Sequence, residues 1–250
     1  MSPNRSDGLF TLGVPPEQYH LPHPRLALPV ILLIRRVVLR AFEILCGRGY
    51  SLAAEKEDDI TAALRNIIEN DLRQNGDVKG FSRRTYETVV RQGQTENYDL
   101  TKLTKAPDLC FKLRNDEEEP RPVLSAHDAL FVECKPVDKD HPAGSKYCEN
   151  GLSRFVDGDY AWAMEEGLML GYARDGRTIE KHLIPAMQEA ARLDRLKTVD
   201  LPHPVEHSAA AVEDNAEALH VSRHRRAFSW VGDKGPATDI FIYHSWHNCG

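Results

Sequence analysis

The stretch Pro107-Asp108-Leu109-Cys110-Phe111-Lys112-Leu113 and, after an acidic, proline-flanked insert, His127-Asp128-Ala129-Leu130-Phe131-Val132-Glu133-Cys134-Lys135 decides how this chain is read. Each half is an apolar run of strand length, and the insert supplies a turn between them. Side chains alternate along a strand, so Glu133 and Lys135 project from one face and Cys134 from the other. With Asp108 opening the first run, two carboxylates and an ammonium come within reach of one point.

Upstream, apolar residues recur at helical spacing from Leu26 to Cys46, and Gly47 and Gly49 supply a stop. Residues 25 to 48 carry five Arg against one Glu. That excess suits phosphate contact, or an amphipathic helix docked on the core with its arginines in water. Ser51 is placed to cap a second helix running to about Gly76, with a stripe of Ile60, Leu64, Ile67, Ile68 and Leu72. Glu57 lies three residues before Ile60 on that stripe. A carboxylate there must be paired, protonated or metal-bound, which makes Glu57 a candidate site residue. Alternatively, Glu57, Asp58 and Asp59 serve only the positive end of the helix.

Downstream, Thr85 to Arg91 and Asn97 to Leu103 read as hairpin strands. Asp116 to Glu119, before Pro120 and Pro122, read as a solvated hairpin tip. Tyr147 to Phe155 is expected to be helical, with another helical turn at Tyr160 to Met164 and a buried strand at Gly167 to Ala173. Strand, helix and strand make a crossover and imply parallel pairing. Thr178 to Leu196 reads as a helix despite Pro185. Residues 198 to 218, with Pro202 and Pro204, read as a surface excursion. Strands are expected at Leu219 to Trp230 and Thr238 to Trp246. The result is an α/β (α+β) fold, a mixed central sheet flanked by helices. Residues 1–50 form an arm and a helix packed on a domain spanning 51–250.

Hydrophobic residues at 41% and charged residues at 28% are ordinary for a globular chain and name no function. A net charge of -6 argues against broad non-specific affinity for nucleic acid, so local basic clusters have to carry any such contact. The five cysteines are odd in number and show no CxxC spacing, and two of them sit in apolar strand-like runs, which suits reduced, buried thiols in a reducing compartment. Leu26 to Ile34 is too short to span a bilayer. The chain is expected to be cytoplasmic, without membrane contact.

Hydrolysis of a phosphodiester needs a metal to generate hydroxide and to neutralise developing charge, and hard divalent cations prefer oxygen ligands. Asp108, Glu133 and the backbone carbonyl of Cys134 offer such oxygens. Lys135 is suited to orienting or deprotonating water, or to stabilising the transition state, and Glu57 adds an acid from the helix. Ser222-Arg223-His224-Arg225-Arg226 is the densest basic group and forms a candidate phosphate-contact strip. Arg154 is a further candidate phosphate contact. His244, His247 and Cys249 have ligand types for zinc but no fourth nearby, and strand packing around Trp246 accounts for them better.

Pro107-Asp108, an interval of 24 residues and then Glu133-Cys134-Lys135, with a helix bearing Glu57 upstream, resembles the PD-(D/E)xK nuclease superfamily. The order of helix, three-strand meander, crossover helix and further strand is similar to that family's restriction endonuclease-like core. The resemblance covers roughly the middle half of the chain. It implies an Mg2+-dependent nuclease, with Mn2+ able to substitute, acting on DNA in bacterial restriction or anti-phage defence. Asp108 and Glu133 would hold the metal with the Cys134 carbonyl, Lys135 would serve the water and Glu57 would be auxiliary. A homodimer, with the apolar N-terminal helix as one interface, or a defence-system partner is also implied. The helix after the motif lacks the Gln found in the exonuclease-like branch. A catalytically silent module binding nucleic acid or a partner protein is the alternative, and a hydrolase of small phosphorylated substrates is a third.

Overall fold

The nine residues of β3 (Ala129–Val137) are all buried, which is the condition of a strand covered on both faces. The computed structural model describes residues 20–82, 86–99, 101–113, 123–205, 217–230 and 235–250. The acidic run 116–119 and the greater part of the N-terminal arm lie outside them. Around β3 are β1 (Tyr86–Arg91) and β2 (Leu109–Leu113) on one side, and β4 (Glu166–Ala173) on the other. The sheet has seven strands in the order β1-β2-β3-β4-β7-β6-β5, where β5 is Thr198–Pro204, β6 His220–His224 and β7 Ile240–Asn248. β1, β2 and β3 are an antiparallel meander, and β3, β4 and β7 run parallel. This is the mixed α/β sheet expected.

One face of the sheet is covered by α1 (Leu28–Gly47) and α2 (Glu57–Asn66). Ile31, Ile34, Val37, Val38, Ala41 and Leu45 of α1 recur at helical spacing and join a core with Leu109, Val132, Cys134 and Leu170. The apolar stripe offered above as a dimer interface is therefore covered within the chain. Arg35 departs from the expectation of arginines in water: it is buried and donates to the Glu217 carbonyl at 2.7 Å. α2 continues through a π-wound turn (Ile67–Leu72) and a last turn (Arg73–Asn75) to Gly76, whose φ of 72° is the left-handed stop. Its capping residue is Lys56, not Ser51, and no side-chain cap forms.

The other face carries α3 (Ala143–Leu152, π-wound) running into α4 (Ser153–Val156), and three short pieces, α5 (Ile179–Leu183), α6 (Ile184–Gln188) and α7 (Ala190–Arg195). The single helix expected over 178–196 is thus broken, with Glu189 extended at ψ 128°. The turn at 160–164 is not helical, and Ala161 there has φ 53°. The strand expected at 97–103 is replaced by turns, because the Asp99 carboxylate accepts from Thr101 N–H and from the Asn97 amide. The expected excursion from 198 instead opens with β5, an edge strand, where Pro202 and Pro204 are tolerated.

Under α3, a buried chain of hydrogen bonds crosses the sheet. Leu196 O lies 2.9 Å from His224 Nδ1, Ser222 Oγ is 2.8 Å from His224 Nε2 and 2.8 Å from His244 Nε2, and Tyr147 OH is 3.0 Å from His244 Nδ1. A carbonyl only accepts, so His224 Nδ1 carries the hydrogen, and every link then follows. Tyr147 donates to His244, His244 to Ser222, Ser222 to His224, and His224 to Leu196. Burial pushes both imidazoles down, His224 to about 4, which keeps them neutral. The zinc-like trio is accordingly packing: His247 is buried and stacks on Phe42 at 4.2 Å. Among the described residues, the five cysteines are free, and no helix is long and apolar enough to cross a membrane.

Candidate active site

β2 stops pairing with β3 at Leu109↔Val132, although β3 runs on to Val137. Pro107 has no N–H with which to extend the ladder. The backbone of Cys134 therefore faces a notch in the sheet, and side chains fill it. Asp108 Oδ2 accepts from Cys134 N–H at 2.7 Å. The Cys134 carbonyl accepts from Lys135 Nζ at 2.6 Å. At the notch, Glu57 from the N-terminus of α2 meets Lys135 Nζ at 2.7 Å. Glu133 Oε1 lies 2.9 Å from the same ammonium and Asp108 Oδ2 3.6 Å.

Asp108, Glu133, Lys135 and Glu57 are thus one cluster, with the Cys134 carbonyl in it. Arg154 joins them, donating to Glu133 Oε1 at 2.8 Å. Tyr160, whose hydroxyl donates to Glu133 Oε2, completes the cage around that carboxylate. This contact was not legible in the sequence: the residues are 27 apart and Tyr160 sits in an irregular turn. Helix α3 presses on the cluster at Gly151. A Cβ there would stand 2.8 Å from Met169 Cε, 3.3 Å from Lys135 Cγ and 3.6 Å from Glu133 Cγ.

The basic strip divides. Arg223 pairs with Asp200 at 2.7 Å and Arg225 is exposed, but Arg226 is buried. Its guanidinium donates to the carbonyls of Ala161, Trp162 and Met164, and burial pushes its pKa down to about 9. The expectation for Arg226 is corrected: it ties down the turn that carries Tyr160. Arg223 lies on β6, three strands from β3, and Arg226 bonds the 161–164 turn, not the cluster.

Burial dominates the acid chemistry. It pushes the Glu133 carboxyl up, Asp108 adds to this, and Lys135, Arg154 and Tyr160 only partly offset it, leaving a value of about 7. Burial likewise raises Glu57 against the pull of Lys135. For Lys135, burial favours the neutral amine, but Glu133, Asp108 and Glu57 together outweigh it and hold the ammonium charged.

Four oxygens around one small cation are a hard-donor set, and a hard divalent ion suits the same oxygens. Among the described residues no group of three or more His, Cys, Asp or Glu side chains is placed to hold a metal ion. A divalent ion would therefore take two carboxylates, the Cys134 carbonyl and waters, a common arrangement for Mg2+. A cleft of about 510 Å³ reaches the cluster, lined by Lys56, Glu57, Lys135, His141, Lys146 and Arg174 among others. No family model, curated protein or solved structure matches the chain.

Proposed function

We propose that the protein is a divalent-metal-dependent nuclease of PD-(D/E)xK type with a restriction endonuclease-like core, hydrolysing DNA phosphodiester bonds in bacterial restriction or anti-phage defence. The convergence of Asp108, Glu133, Glu57 and the Cys134 carbonyl on Lys135 at the notch supports this reading above all. Mg2+ held by Asp108, Glu133 and the Cys134 carbonyl would supply an activated water and neutralise charge on the phosphate. Lys135, held as an ammonium, donates rather than accepts a proton, so it orients the phosphate and stabilises its developing charge. Glu57, with its raised affinity for a proton, is the group suited to take one from the attacking water. Arg154, half exposed beside Glu133, suits a phosphate oxygen.

Cleavage of plasmid and linear DNA with and without Mg2+ tests the proposal, using wild type, Asp108→Ala and Lys135→Ala. Metal-dependent cleavage that both substitutions abolish supports it. Identical behaviour of all three proteins removes it. The second reading, a catalytically silent module binding nucleic acid or a partner protein, has its own observation. Glu133 is held by three donors and Lys135 by four oxygens, contacts that satisfy one another without a ligand. Calorimetry with Mg2+ or Mn2+ separates the two, because the silent module takes up no metal at Asp108 and Glu133.

A further inference from the structure

Immediately after β3 the chain turns back on itself, and the Asp138 carboxylate organises the turn. Oδ1 accepts from the N–H groups of Asp140 at 2.9 Å and His141 at 2.8 Å, and lies 2.8 Å from His141 Nδ1. Oδ2 faces Arg174 Nη1 at 3.4 Å. Arg174 Nη2 donates in turn to the carbonyls of Leu52 at 2.9 Å and Glu55 at 2.6 Å, in the segment that leads into Glu57. One guanidinium therefore fastens together two walls of the cleft, the approach to α2 and the turn at 138–141.

The imidazole of His141 is held by this arrangement in one orientation and one tautomer. A carboxylate accepts only, so Nδ1 carries a hydrogen and Nε2 is the free end of the ring. Asp138 is buried and the His141 side chain is 41% exposed, so the anchor is in the protein and the ring is open to solvent. His141 lines the same cleft as Glu57 and Lys135, and Nε2 has no hydrogen-bond partner among the described residues. A histidine oriented by a buried carboxylate in the lining of a cleft is the arrangement of a proton-transfer group.

We propose that His141 is a catalytic acid of this cleft, positioned by Asp138 and Arg174, which protonates the oxygen that leaves phosphorus. The proposal rests on the nuclease reading given above. As the water oxygen bonds to phosphorus and its proton passes to Glu57, the bond from phosphorus to the ester oxygen breaks. A proton that Nε2 has taken from solvent moves to that oxygen, which departs as an alcohol. The ring is left in its Nδ1–H tautomer and takes up another proton from solvent. In-line displacement puts the leaving oxygen opposite the attacking one. Acid catalysis and water activation then come from separate groups, His141 on the 138–141 wall and Glu57 on the α2 wall.

The test compares two substrates with Mg2+ present: a DNA duplex, whose leaving alkoxide needs a proton, and thymidine 5′-(p-nitrophenyl phosphate), whose nitrophenolate does not. His141→Gln is the main variant, because the side chain is 41% exposed and glutamine keeps a hydrogen-bond donor near Asp138. Asp138→Asn, which keeps the size of the anchor, is the second. For His141→Gln the rate on DNA is expected to fall by about 100-fold or more, and that on the nitrophenyl ester by less than about threefold. Asp138→Asn should shift the two rates in the same unequal way, by less. Equal losses on both substrates mean a structural role and overturn the proposal, as does an unchanged rate on DNA. If wild type cleaves neither substrate with Mg2+ or Mn2+, the nuclease reading fails and the acid role fails with it. A wild type that cleaves while His141→Gln cleaves equally well removes the acid role alone.

Discussion

Replacing Lys135 by methionine removes the cation on which the site is built while keeping an unbranched chain of similar length. The ammonium has Glu57 at 2.7 Å, Glu133 at 2.9 Å, Asp108 at 3.6 Å and the Cys134 carbonyl at 2.6 Å. Without it, Glu133, fully buried, loses a charged partner, and removing one partner of a buried pair costs about 3–5 kcal/mol. The cost depends on pH with a definite sign. The folded Glu133 carboxyl sits at about 7, above its ordinary 4.5, so its protonated form favours folding and stability declines as pH rises through that interval. Each unit is worth about 1.4 kcal/mol. Losing the ammonium raises the folded value further, so the decline continues to higher pH in the variant. At about pH 5.5 Glu133 is protonated in both proteins and the substitution should cost only about 1–2 kcal/mol, the value of the lost hydrogen bonds. At about pH 8.5 the cost should reach about 3–5 kcal/mol, or about 6–20 °C in Tm. Urea and thermal unfolding at both pH values measure it. Millimolar Mg2+ at the higher pH should restore more stability to the variant than to wild type, since a divalent ion can take the ammonium's place among the oxygens. A cost equal at both pH values, or equal stabilisation of both proteins by Mg2+, would refute this account of the cluster.

Tyr160→Phe removes a donor to Glu133, so the pH below which Mg2+ affinity falls should move upward by about one unit, readable by calorimetric titration across pH. An unmoved profile would mean the hydroxyl does not tune that carboxylate. Gly151→Ala places a methyl 2.8 Å from Met169 Cε, the movable end of that side chain, and 3.3 Å from Lys135 Cγ, so it should cost no more than about 1 kcal/mol in urea unfolding, and a larger loss would mean that Met169 cannot yield. His247 is buried with a folded value of about 3 against an ordinary 6.5, so it favours folding fully above pH 6.5 and loses that contribution as pH falls. Below that pH, unfolding free energy should drop more steeply in wild type than in His247→Gln, by about 1.4 kcal/mol per pH unit, and parallel curves would argue against a neutral buried ring.

The core of the site was legible because its parts announce themselves locally. Two apolar runs with period-two charges gave β2 and β3, and an acid on an apolar helical stripe gave Glu57. What escaped depends on partners far away in the chain. A proline pair at 202 and 204 looks like a loop until the segment is known to be a sheet edge. Arg226 reads as a surface cation because nothing near it reveals the three carbonyls at 161–164 that receive it. Asp138 and His141 carry no periodic signal at all, and their arrangement depends on Arg174, just beyond β4, which bonds both Asp138 and the Glu55 carbonyl. The parallel insertion of β7 between β4 and β6 is likewise a matter of long-range pairing that no local pattern encodes.

The hydrogen-bond chain from Tyr147 to Leu196 has a consequence for how the far half of the sheet is assembled. Alternation of buried and exposed residues distinguishes a strand from one slipped by a single residue, but a slip of two returns every side chain to its own face. β6, with His220, Ser222 and His224 all inward, is open to that error against β7. Ser222 has one hydrogen and must sit between two particular ring nitrogens, each of fixed tautomer. Shifted by two residues, a histidine would stand where the hydroxyl belongs, and the buried Nε2 of His244 would lose its Ser222 partner. Hydrophobicity thus chooses the face of β6, and the order of donors and acceptors chooses its register.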